Sequence, residues 1–194
     1  MKTWWAHIRQ WLGPYYDVAV FAVTLVAADL LWKLTVQGDE HGTDVMWLTL
    51  DVSAVFDAVT AHVTDAVYWL VSCFRDTAHL SGRRIWFDSG SASKIVWGCS
   101  GIKQAWIWLA LMLTARGSWM RKAWFIPLGW LACHAFNILR ISLICLFIEF
   151  HPDWFHLLHD YIFKYLFYGM MFGLWVWWIE KLSAKAVRQL TVDS

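Results

Sequence analysis

Apolar residues along the chain gather into long runs separated by short polar segments. One run extends from Tyr15 to Val36, and a second starts near Cys99 and ends at Ala115. A third runs from Ala123 to Phe150 and a fourth from about His159 to Ile179. Each approaches the roughly 20 residues an α-helix needs to cross a bilayer core. In the first run, Asp29 and Lys33 stand four apart on one helical face, where they can neutralise each other. Between the first two runs the pattern changes. Val52, Phe56, Val59, Val63, Val67 and Leu70 recur at helical spacing, while Asp57, Thr60, Thr64 and Asp65 occupy other faces. This predicts an amphipathic helix over residues 52–73 that lies at the outer interface rather than crossing it. Beyond it, Arg84 to Phe87 and Lys94 to Trp97 read as two short strands about the flexible turn Ser89 to Ser93. Val26-Ala27-Ala28 has the form of a signal-peptide cleavage site. The apolar run nevertheless continues through Leu30, Leu31, Trp32 and Leu34, which favours an uncleaved anchor.

The fold class expected is an all-α integral membrane protein of about four transmembrane helices with an external amphipathic helix and a short strand-like cap. Residues 1–36 form the N-terminal flank and first helix, 37–98 an extracytoplasmic cap, 99–180 a three-helix membrane core and 181–194 a tail. Composition agrees. The chain is 59% hydrophobic and only 16% charged, where soluble domains carry about 25%. The balance of 16 basic and 15 acidic residues, with no basic stripe, argues against a nucleic-acid partner. Lys2 and Arg9, then Arg116, Arg121 and Lys122, then Lys181, Lys185 and Arg188 fall on one side if the spans are four. That side is cytoplasmic, and Asp39, Glu40, Asp44 and Asp51 fall on the other. The 17 tryptophans suit lipid–water boundaries. Trp4, Trp5, Trp11, Trp119, Trp124, Trp175, Trp177 and Trp178 flank the cytoplasmic boundary. Trp47, Trp69, Trp86, Trp97 and Trp154 fall in the cap and outer loops, as a belt or as walls of a groove for an apolar segment.

Of the four cysteines, Cys133 and Cys145 lie inside an apolar run and read as small buried hydrophobes, with Cys73 outside the spans. Cys99 stands apart, at the edge of a run. Asn137 and Arg140 sit inside the third span, with Cys133 and His134 one turn earlier. An Arg there is costly and faces protein or a wet cavity. Measured along helices from the cytoplasmic markers, Cys99 lies about 26 Å above Arg116, Arg140 about 27 Å above Lys122, and His159 about 33 Å above Lys181. A thiol, a guanidinium and an imidazole thus reach one level. A helix N-terminus near Cys99 and the cation of Lys103 would both favour the thiolate. His159 could serve as acid and base, and Arg140 as a forked donor to an oxyanion. His151 and His156 compete with His159 for the base, and Asp160 is an orienting or structural partner. No metal and no cofactor is expected.

The blocks Cys99-Ser100-Gly101-Ile102, Asn137 to Ile141 and His159-Asp160, in this order on membrane helices, resemble the exosortase/archaeosortase family, here as a short form. The resemblance implies a membrane cysteine transpeptidase or processing protease, with Cys99 matching the nucleophile, Arg140 the catalytic Arg and His159 the catalytic His. Lys103, Asn137, Asp160 and His156 would support them. It implies secreted protein substrates whose C-terminus has a short motif such as Pro-Glu-Pro, a hydrophobic helix and a basic tail, often in organisms making exopolysaccharide. It places the site at the outer face of the cytoplasmic membrane and leaves the acceptor open. Two other classes stand beside it: a non-catalytic assembly or scaffold subunit, and a four-helix haem protein using His62, His134 or His156.

Overall fold

The computed structural model describes residue 11 and residues 13–39 and 44–183. Lys2, Trp4, Trp5, Arg9, Glu40, Lys185 and Arg188, which entered the orientation argument, lie outside them, as does nearly all of the expected tail. Helix α1 (Tyr16–Thr35) leads into a small antiparallel sheet, β1 (Val36–Gly38), β2 (Val45–Trp47) and β3 (Leu50–Asp51). Helix α2 (Ser53–Ser72) follows, then a second antiparallel sheet, β4 (Ala78–Ser81), β5 (Arg84–Phe87) and β6 (Ala92–Lys94). The chain closes with α3 (Ile102–Thr114), α4 (Trp119–Ile148) and α5 (Phe163–Trp177), the last flanked by π-helical turns over Leu157–Ile162 and Trp178–Ser183.

This is an all-α integral membrane fold with a minor strand component. Among the described residues, three stretches are long and apolar enough to cross a membrane: Tyr16–Thr35, Trp119–Ile148 and Pro152–Lys181. The second of the four spans expected is shorter. Helix α3 has 13 residues, about 20 Å of rise, because the chain before it turns through a 3-10 segment and a left-handed glycine. Helix α2 is apolar on the face that buries Phe56, Val63, Val67 and Val71, and it is not among the crossing segments. It lies on the C-terminal half of α4, sharing a buried cluster with Ile141, Cys145 and the second sheet. The strands depart from expectation. The last one covers Ala92–Lys94 rather than Lys94 to Trp97, β4 on the other side of β5 was not foreseen, and neither was the first sheet. Strands of two to four residues carry too few positions for a period of two to show.

The four apolar helices run up and down. Thr24 on α1 meets Thr114 on α3, and Trp106 on α3 meets Ala28. On α4, Trp130 meets Ala105, and Trp108 of α3 meets Ile126. Phe136 packs edge-on against Phe167 of α5 at 5.2 Å, and the Phe125 ring lies tilted against Trp178 at 5.1 Å. Tryptophan does more here than sit in boundary belts. The indole N–H groups of Trp97, Trp106, Trp108, Trp130 and Trp178 each donate to a main-chain carbonyl of another segment, at 2.7–3.2 Å. Trp108 and Trp178 are wholly buried. An indole away from water needs an acceptor, so each bond also fixes the register of two segments. At the end opposite the sheets, Asp17 pairs with Arg116, and buried Lys122 donates to the Ala115 carbonyl at 2.5 Å, closing the C-terminus of α3.

Candidate active site

The site is built from three ends. Leaving β6, the chain makes a 3-10 turn at Trp97–Cys99, closed by the Cys99 N–H on the Val96 carbonyl at 2.8 Å. Trp97 anchors that turn: its indole donates to the Asp39 carbonyl at 2.8 Å and packs edge-on against Phe56. Ser100 is buried and its Oγ accepts from the Ile102 N–H at 3.4 Å, serving the first turn of α3. Gly101 has φ +83°, a left-handed conformation that glycine adopts without strain. A Cβ there would also stand 3.2 Å from Nδ2 of Asn137.

Helix α4 supplies Asn137 and Arg140, three apart and therefore on one face. Asn137 is fully buried, and its Nδ2 donates to the Cys99 carbonyl at 2.7 Å, while Oδ1 has no protein partner. Arg140 is 7% exposed, its Nε is buried without a partner, and its charge acts on Cys99 and Tyr168. The guanidinium is thus held in the protein with a donor unspent.

The third end is the π-helical turn Leu157–Ile162, which carries His159 and Asp160. Such turns interrupt α-helices mostly at sites with a function. His159 shares a hydrogen bond with the Cys99 thiol, and its Nδ1 lies 2.8 Å from Oδ1 of Asp160. With Nδ1 engaged, Nε2 is the nitrogen left to the thiol. The ring stacks on Phe155 at 5.2 Å, 12° from parallel. Burial pushes the Cys99 thiol up. The His159 hydrogen bond, the Val96 backbone and the Arg140 charge outweigh burial and hold it below the ordinary cysteine range.

Cys99, Asn137, Arg140, His159 and Asp160 therefore come together. Two supporting residues do not join them as expected. Lys103 sits on Asp29 at 2.6 Å, and the same carboxylate holds Lys33 at 2.8 Å. Its ammonium is spent there rather than on the thiol, because an acid within a span needs a counter-charge more than an exposed end does. His156 lies 3.1 Å from the other oxygen of Asp160 with its side chain 85% exposed, pointing away from Cys99. His151 stacks on Trp154, and His62 stacks on His134 at 5.3 Å, nearly parallel. Two rings stacked face to face leave no room for a porphyrin between them. Sequence reasoning missed Phe155, which stands four residues before His159, a helical spacing that could have flagged it. Gly101 entered as part of the Cys99-Ser100-Gly101-Ile102 block, but its steric constraint comes from a side chain 36 positions away.

With this geometry in view, comparison with known proteins gives one finding. A family model described as transmembrane exosortase matches residues 43–187, a stretch that holds every side chain of the site. No curated protein and no solved structure matches the chain.

Proposed function

Because the chain belongs to the transmembrane exosortase family, we propose that it is a cysteine transpeptidase or protease that cleaves C-terminal sorting signals of secreted proteins. The observation that carries this reading is the meeting of the Cys99 thiol with His159 beside the unspent Nε of Arg140. In the first step the Cys99 Sγ attacks the scissile carbonyl carbon and His159 takes the thiol proton. The carbonyl oxygen becomes an oxyanion facing Arg140. As the tetrahedral species collapses, the C–N bond breaks and His159 returns the proton to the leaving amine, which departs with the apolar helix and basic tail of the substrate. A thioester remains on Cys99. An acceptor nucleophile, or water, then gives its proton to His159 and attacks the thioester carbon, and the thiolate leaves and is reprotonated.

The orientation proposed puts the site and residues 37–98 on the extracytoplasmic face of the cytoplasmic membrane. Arg116 and Arg121, at the opposite end of the bundle, support this by their charge. The test is coexpression with a secreted protein bearing a motif, apolar helix and basic tail from the same proteome. Replacement Cys99→Ala should leave the precursor uncleaved, and normal maturation in that strain would overturn the reading.

A further inference from the structure

Strand β6 ends its sheet, with β5 on one side and no strand beyond it among the described residues. The register tells which way its backbone points. The Phe87 N–H donates to the Ser91 carbonyl and the Ile95 N–H to the Arg83 carbonyl, both at 2.9 Å. Ser91, Ser93 and Ile95 therefore bond β5, and Ala92, opposite Trp86, directs its N–H and C=O away from it. Against this strand lies a cavity of about 290 Å³ lined by Ser91–Lys94, Ile148, Pro152 and Phe155, with no residue of β5 in its wall. Phe155 is shared: one face of its ring stacks on His159, which bonds the Cys99 thiol. The cavity is thus one ring from the site, and Lys94 is five residues from Cys99. The strand is also held in place, since the Ser91 hydroxyl donates to the Glu149 carbonyl at 3.2 Å and Ser93 bonds Cys145.

We infer that the free edge of β6 receives the extended peptide leading to the scissile bond, pairing with it through the main chain of Ala92 and seating a side chain in the Phe155 cavity. This rests on the proposed function and names how its substrate is held. An open strand edge is a template for a further strand, and main-chain pairing binds a short extended motif largely irrespective of sequence. The pocket beside the edge then selects among side chains.

The test uses the full-length chain in detergent and two chloromethyl ketones, chloroacetone and an acetyl-tetraalanyl derivative, with alkylation read by mass spectrometry and exposed Cys73 as internal reference. The peptidyl reagent should label Cys99 faster than chloroacetone does. Replacement Ala92→Pro removes the outward N–H at a position where an edge strand tolerates proline, and should lower the peptidyl-to-chloroacetone ratio roughly three- to tenfold, with Ala92→Thr retaining the ratio. A ratio within twofold of the parent in Ala92→Pro overturns the proposal. Should that variant lose reactivity toward both reagents, N-methylated tetrapeptides on the unaltered chain decide: slower labelling upholds strand pairing, and equal labelling sinks it. An unchanged ratio in Ala92→Pro while Cys99→Ala still blocks maturation refutes the edge alone, whereas maturation independent of Cys99 refutes the function.

Discussion

At Cys99, a thiol that burial alone would make less acidic is held as a better acid by the His159 hydrogen bond, the Val96 backbone and the Arg140 charge. Because its pKa lies below that of an ordinary cysteine, alkylation of Cys99 should stay fast at pH values where a free cysteine in solution has already slowed. Replacing Arg140 with Gln should move the Cys99 profile to higher pH, since a cation favouring the thiolate is gone. A Cys99 profile identical to that of a free cysteine would remove the thiolate argument. Arg140→Lys keeps the charge and loses the planar fork, so turnover should fall by about 10²-fold or more with less change in the pH profile. Asn137 contributes differently, by holding the Cys99 carbonyl at 2.7 Å. Asn137→Leu leaves that carbonyl unbonded and should slow alkylation of Cys99 while the chain still folds, a change read as a lower rate without a shift in its pH midpoint.

At the scale of elements, close approach of helices depends on where side chains are absent. Gly129 on α4 lies under the Trp108 indole, and a Cβ there would fall 2.1 Å from two indole atoms. The same indole donates to the Ile126 carbonyl, so it has little freedom to withdraw. Gly129→Ala should therefore destabilise the bundle by about 1–3 kcal/mol or more, seen as a lower unfolding midpoint in detergent. The π-helical turn is the other element-scale device. It carries His159 and Asp160 while the helix continues into α5, so these two residues rest on a backbone anchored by Leu158 and Phe163 in a buried cluster with Ile144 and Ile148.

At the scale of the whole molecule, the two sheets and α2 gather at one end of the bundle, and the Asp17–Arg116 pair and the Lys122 cap mark the other. Glu149, at the end of α4, ties the turn between α2 and β4 to the bundle, taking Arg75 at 3.1 Å and the Thr77 hydroxyl at 3.4 Å. The proposed orientation makes a direct prediction for Cys73, which is exposed at the sheet end. A membrane-impermeant maleimide added to intact spheroplasts should label it. Labelling only after lysis would invert the topology.

The sequence by itself determined the membrane class, the long helices and the three positions Cys99, Arg140 and His159 at one level. Those follow from quantities that are local: apolar run length, the 1.5 Å rise per residue, and the cost of a cation within an apolar segment. Only the tertiary structure decided which groups spend their charge on one another. Lys103 joins the Asp29–Lys33 pair that the spacing along α1 predicts, His156 is drawn to the far side of Asp160, and Asn137 reaches back 38 residues to a carbonyl. It also decided that tryptophans such as Trp108 and Trp178 are buried staples rather than boundary anchors, and that a three-residue strand presents an open edge beside the site. Pairing is competitive and depends on distances through space, so no spacing along the chain could have ranked one partner over another.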